Sequence, residues 1–296
     1  MNSTPAFARP LQHPGPRNPE RRTSVPTRST LRKTILPAGL TLNDAVEQAL
    51  LELGGNAAQV EISAGHLADA QYVHPALCLD GTTAVTYSDV RHATCPARVV
   101  MGGMTVGCRD GERFTHCHMS WLDADGSLRG GHLLPDVVIG TGGISATIHV
   151  LHDLELRSAL DAESRLPVFT PHKQSGRAPK ATRRSVMSRL APATSLEAEI
   201  REVMLEFGFT LARVDGSIGS LVGAAMSRRN GRPLIIDGPA TEVAIFGEID
   251  VSRDRNDISA IVIDRFGNTY YGILEPHQSL VAVTFELYLE EVGPCD

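Results

Sequence analysis

The sequence predicts an α+β protein made of two tandem copies of one unit, each an antiparallel sheet flanked by helices. Three observations carry this: a gapless internal match at an offset of 154 positions, a capped helical stripe in each copy, and an apolar β-branched run closing each copy.

The helix comes first. Leu42, Val46, Ala49, Leu50 and Leu53 correspond to Leu196, Ile200, Val203, Met204 and Phe207, an apolar face at i, i+4, i+7, i+8 and i+11 in both copies. Thr41 and Ser195 stand where an N-cap hydroxyl is favoured, and Gly54 and Gly208 follow where a helix C-terminus favours glycine. The match continues through 60–67 against 214–221, a strand with a glycine. Further on the offset becomes 141, and Asp123, Gly126, Gly131, Leu133 and Pro135 correspond to Asp264, Gly267, Gly272, Leu274 and Pro276. Each copy then closes on its apolar run, 144–151 and 280–289.

Composition bounds the rest. The 296 residues, 42% hydrophobic and 21% charged, exclude a fibrous or largely disordered chain. No stretch approaches the ~18 apolar residues of a membrane span, and Pro and Arg stand where a secretory signal would place an apolar block. Five cysteines with no C-x-x-C spacing argue against a disulfide framework or a cysteine zinc knuckle, and a reducing cytoplasm is the expected setting.

Charge is segregated. Residues 1–38 hold seven Lys or Arg, one acid and seven prolines, and 172–194 hold six basic residues and no acid. Both segments are expected to be unfolded, since Pro and charge offer little apolar surface to offset ordering entropy. The expected organisation is a disordered basic tail (1–38), a first unit (39–171), a basic linker (172–194) and a second, degenerate unit (195–296). Without tail and linker the remainder carries a net charge of -18, which opposes a phosphate backbone.

The chemistry is concentrated in the first copy. Alternation over 114–122 predicts a strand, placing His116 and His118 on one face and Cys117 on the other. Asp123-Ala124-Asp125-Gly126 signals a tight turn; with Gly126 left-handed, Asp123 pairs with Ser127 and His118 lies opposite His132. Three imidazoles then converge, a donor set suited to one Zn(2+) or another divalent transition metal per chain, with a carboxylate or water completing the shell. The second copy has Asp257, Ser259 and Ile273 at these positions and cannot hold the same ion. Its expected job is structural: packing on the first unit, covering a site, or building an oligomer.

These residues resemble the plants-and-prokaryotes-conserved (PPC) domain, whose prokaryotic members share a pattern near H-x-H-x-S-(x)-D-x-D-G-x-(x)-G-G-H-L-L. The match runs from His116-Cys117-His118 to Gly130-Gly131-His132-Leu133-Leu134-Pro135, with the family's G-x-L element at Gly65-His66-Leu67. It covers most of 40–152, and a diverged copy covers 195–292. The resemblance implies an antiparallel sheet with helices, a trimer, and a metal on the three histidines. The wider fold group includes acetolactate decarboxylase, a zinc lyase with a similar H-x-H and G-G-H. Two departures stand out: the family's G-S-L is Gly65-His66-Leu67, and the strand where relatives often carry an acid has Ala146-Thr147-Ile148.

Three functions are compatible with these residues. One is a metal-dependent lyase or hydrolase acting on a small oxo- or carboxylate-bearing substrate, with His116, His118 and His132 as ligands, Glu112, His66 and His92 as acid–base candidates, and Arg98 and Arg129 as anion binders. A second is DNA binding through Arg177, Lys180, Arg183 and Arg184. The required Gly-Arg-Pro core is interrupted at Gly176-Arg177-Ala178-Pro179 and, at Gly231-Arg232-Pro233, runs straight into an apolar strand. The third is a ligand-binding or scaffolding oligomer in which the metal is structural.

Overall fold

The computed structural model describes residues 9–174, 182–228, 231–253, 258–275 and 279–293. The first half runs β1 (Arg22–Leu36), α1 (Leu42–Leu53), β2 (Ala57–Asp69), β3 (Gln71–Val73), β4 (Pro75–Leu77), β5 (Val85–Tyr87), β6 (Arg91–His92), β7 (Ala97–Arg109), β8 (Glu112–Leu122), β9 (Leu128–Leu133), β10 (Val138–Leu151), β11 (Leu154–Leu160) and β12 (Pro167–Lys173). The second runs β13 (Arg183–Leu190), α2 (Leu196–Phe207), β14 (Leu211–Leu221), β15 (Ala224–Met226), β16 (Leu234–Ile236), β17 (Thr241–Asp250), β18 (Ser259–Ile263), β19 (Thr269–Ile273) and β20 (Val281–Glu291).

The two helices begin and end where the repeat predicts. The hydroxyls of Thr41 and Ser195 accept from the backbone amides of Asp44 and Ala198, and Gly54 and Gly208 close the helices in the left-handed region at φ 66 and 70. These are the only helices among the described residues, so each unit is dominated by its sheet and carries one helix rather than several. The cores are separate: Val46 and Leu50 of α1 pack with Val60, Ile62, Met104 and Trp121, while Ile200 and Val203 of α2 pack with Val214, Val243 and Phe285. Smaller apolar clusters straddle the two units, one of them joining Val25, Phe169, Met187 and Tyr288.

The expected disordered tail and linker are corrected by the structure. Within 1–38, residues 22–36 form β1, and within 172–194, residues 183–190 form β13; both lie in the interior of one continuous sheet ordered β19-β18-β17-β14-β20-β13-β1-β10-β2-β7-β8-β9-β3-β6. β1 joins the units by pairing along two different stretches: residues 22–29 with β13 and residues 29–36 with β10. Pro26 falls in the half paired on one side only, where a missing N–H is tolerated. The positive charges that suggested solvation are neutralised by acids elsewhere in the chain: Arg21 by Glu163, Arg22 by Glu199 and Glu206, Arg28 by Asp153, Arg189 by Asp161. Residues 175–181 of the expected linker lie outside the described residues.

Where the two units face each other, backbone meets backbone. A Cβ at Gly103 of β7 would stand 2.2 Å from the carbonyl oxygen of Gly216 in β14, and Gly216 itself holds φ +69, so glycine is required at both. The amide of Gln59 donates to the same carbonyl. This close approach places β17 and β20 of the second unit against β8 of the first.

Beneath β1 lies a buried polar cluster. His149 stands between Asp215 and Glu290 at 3.3 Å from each, and the Tyr288 hydroxyl donates to Glu290 at 3.0 Å. Burial pushes the Glu290 carboxyl up, but His149, Arg183 and Tyr288 outweigh it and hold it down at about 2, below its ordinary 4.5. A depressed carboxyl stabilises the fold fully above its unfolded value and loses that contribution as pH falls. Between pH 4.5 and 2 this group alone is expected to remove about 2–3 kcal/mol. Urea midpoints measured across that range should fall more steeply for the wild type than for Glu290→Gln; parallel curves would assign the acid sensitivity elsewhere.

Candidate metal centre

The hairpin that positions the histidines is built locally. Asp123 N donates to Ser127 O at 2.9 Å, Gly126 N donates to Asp123 O at 2.8 Å, and Gly126 holds φ +82. The Asp123 carboxylate accepts from Trp121 Nε1 at 2.9 Å and Thr94 N at 3.2 Å, tying the turn to the core. The resulting β8–β9 register sets His118 opposite His132, as the spacing predicts. Cys117 points the other way into the apolar core and is 1% exposed. A Cβ at Gly130 would meet the Thr269 hydroxyl at 2.7 Å, so the glycine leaves room for the second unit to approach this hairpin.

One nitrogen each from His116, His118 and His132 lies within 4.8 Å of the others. The second unit fixes two of the rings. His118 Nδ1 donates to the Val243 carbonyl at 3.0 Å, and His116 Nδ1 donates to Glu286 Oε1 at 2.9 Å. In the neutral form each Nε2 is thereby the lone-pair nitrogen, and the two Nε2 atoms face each other at 3.0 Å. Two neutral rings at that distance need a cation between the nitrogens, a proton or a metal ion. The Glu242 carboxylate approaches the same point, with Oε2 2.9 Å from His118 Nε2, and Glu286 Oε2 is buried with no hydrogen-bond partner among the described residues. Nitrogen donors with fixed tautomers, an adjacent carboxylate and an orphaned carboxylate oxygen fit a bound transition-metal ion.

The electrostatics reflect the crowding. Burial and the neighbouring His116 hold the His132 pKa well below its usual range. Burial opposes the charged form of His118, but Glu242 outweighs it and raises the pKa. Burial also opposes ionisation of Glu242, and the histidines reverse this, bringing its carboxyl down to about 2.

The site opens into a cavity of about 320 Å³ between the units, lined by His116 and His132, the Tyr87 and Arg109 side chains, apolar residues including Phe114, Val168 and Phe169, and Ser220, Glu242 and Glu286 from the second unit. The Tyr87 hydroxyl stands 3.5 Å from His132 Nδ1.

The other residues singled out by sequence are not brought to this cavity. Glu112 lies exposed at the far end of β8, and His92 lies exposed on β6 at the sheet edge. His66 and Arg98 pair with each other across β2 and β7, both exposed. Arg129 is exposed, with Nε 3.6 Å from Asp123. Strand register explains the displacement of two of them: Ser220 pairs with Glu242 in the second unit as His66 pairs with Arg98 in the first. The repeat position was informative, but the copy facing the histidines is the second. Of the candidate DNA contacts, Arg177 and Lys180 lie outside the described residues. Arg183 and Arg184 are interior-strand residues paired with Glu290 and Glu291. Residues 234–236 after Gly231-Arg232-Pro233 form β16. Among the described residues no helix is long and apolar enough to cross a membrane.

No protein-family model matches the chain, and no curated protein matches it. Among solved structures it is similar to a PPC protein of Pyrococcus horikoshii, at 18% identity and TM-score 0.38, over 51% of this chain and 96% of that one. A metal-containing protein of Archaeoglobus fulgidus is 20% identical over 48% of this chain and 92% of its own, with TM-score 0.38. A candidate DNA-binding protein of Ralstonia eutropha is 18% identical over 47% of this chain and 89% of its own, also at TM-score 0.38.

Proposed function

We propose that the chain is a metal-dependent enzyme, with zinc on His116, His118 and His132, acting on a small oxo- or carboxylate-bearing substrate by lyase or hydrolase chemistry. The observation that carries this reading is the convergence of three imidazole nitrogens, two of them turned face to face by acceptors from the second unit, at one end of a walled cavity. Bound there, zinc supplies a Lewis acid that polarises a carbonyl or brings a coordinated water to a pKa of ~7. Glu286, with one oxygen on His116 and the other unpartnered, is the group placed to take and return a proton. Glu242 completes the donor set or orients the reacting group beside His118. The Tyr87 phenol donates to a substrate oxygen near His132, and the apolar wall excludes bulk water.

Zinc-loaded full-length protein assayed against short esters and small oxo acids should show turnover that His118→Ala abolishes while circular dichroism stays native. Turnover retained in that variant would sink the reading. Binding to duplex DNA with a steep salt dependence, unchanged in the same variant, would favour the basic residues instead.

A further inference from the structure

Arg109 lines the same cavity and has no part in the metal centre. It is the only lysine or arginine in the cavity lining among the described residues. Its guanidinium lies over the Phe114 ring, 3.5 Å from the centroid, and Nε and Nη2 donate to Ser158 Oγ at 3.1 and 3.0 Å. A neutral hydroxyl takes two of the five donors, and no carboxylate of the described residues pairs with this cation. Partial burial pulls its pKa below the ordinary arginine value, and the nearby Asp110 and Tyr87 offset this only in part.

Strand register places this group relative to the histidines. His116 stands opposite Thr105 and Phe114 opposite Gly107, and Arg109 follows two residues beyond Gly107 on β7. The backbone span from Thr105 to Arg109 is about 13 Å at ~3.3 Å per residue. The intervening wall is apolar, with Phe114 tilted against Phe169 at 5.8 Å between centroids. At the histidine end the lining carries the two carboxylates Glu242 and Glu286, whose formal charge a divalent ion held by the histidines would cancel. The one net positive element of the cavity is therefore Arg109.

We propose that Arg109 is the carboxylate anchor that sets substrate class: the ligand is a monocarboxylate whose acid end pairs with this guanidinium while its carbonyl reaches the histidines across a short apolar or aromatic spacer. Placing the carbonyl rests on the metal-enzyme reading; the pairing at Arg109 does not. A planar fork matching a carboxylate in a half-buried, apolar-walled pocket discriminates against a neutral isostere.

The test uses 3-phenylpropionate and its neutral amide as probes, titrated calorimetrically into zinc-loaded full-length wild type, Arg109→Gln, Arg109→Lys and His118→Ala. The acid is expected to bind at least tenfold tighter than the amide to the wild type. Arg109→Gln should bring the acid down to the amide's affinity, with zinc content unchanged, and Arg109→Lys should fall between. Equal affinity of acid and amide for the wild type would overturn the proposal without any variant, as would Arg109→Gln retaining the acid. His118→Ala separates the two readings: acid binding preserved there, with zinc lost, upholds the anchor whatever becomes of the catalytic reading.

Discussion

Purified after mild chelation and given zinc, the wild type is expected to hold about one ion per chain, and His116→Ala/His118→Ala none. The magnitude follows from the donor set. Three imidazole nitrogens converge here, and removing two leaves His132 as the single remaining nitrogen donor, too few to hold an ion tightly. The variant should remain folded, because the apolar core on the opposite face of β8 is carried by Cys117, Met119 and Trp121, which both substitutions leave in place. Metal analysis together with the thermal midpoint separates loss of the site from loss of the fold. An unchanged ion count would show that the metal sits elsewhere.

The second large effect is expected from residues that share no motif with the histidines. Glu286→Ala removes the acceptor that fixes the His116 tautomer, and outer-shell partners of metal-bound imidazoles are worth about 10–100-fold in metal affinity. Glu242→Ala removes a carboxylate 2.9 Å from His118 Nε2 and is expected to cost as much or more. Competition with a zinc chelator reads both directly. Affinity within twofold of wild type in both variants would show that the second unit merely covers the site. Glu286→Gln keeps an acceptor oxygen for His116 Nδ1–H and should recover part of the loss, which a purely steric role would not produce.

Legibility followed sequence distance. The helices, their caps and the β8–β9 hairpin are local patterns, and the turn at Asp123 to Gly126 sets the His118–His132 register without any tertiary contact. Glu242, Glu286, Tyr87 and Arg109 escaped because the cavity is assembled between units, and single-strand periodicity carries no information about which face meets which. A signal was present in the run 280–289, where Glu286 interrupts buried apolar residues; a carboxylate there is costly unless something positive or donating awaits it. Register makes Glu286 the counterpart of Ser145, one position before the Ala146-Thr147-Ile148 stretch that lacks the acid expected from the family resemblance. The tail and linker order for a related reason: Arg22 and Arg28 meet Glu199, Glu206 and Asp153, more than a hundred positions away, and the composition of the segment itself carries no trace of those acids.

The way β1 divides its pairing between the halves also governs how the molecule comes apart. Its leading residues hydrogen-bond to β13 and its trailing residues to β10, so neither half contains all of its own hydrogen-bond partners. Melting either half strands the backbone groups of the other at a newly exposed sheet edge, a penalty that couples their unfolding. The earliest residues in the sheet cannot finish pairing until a segment some 150 positions later has folded, which makes for high contact order and slow maturation. A repeat that reads in sequence as two beads on a string behaves, through that one strand, as a single cooperative body.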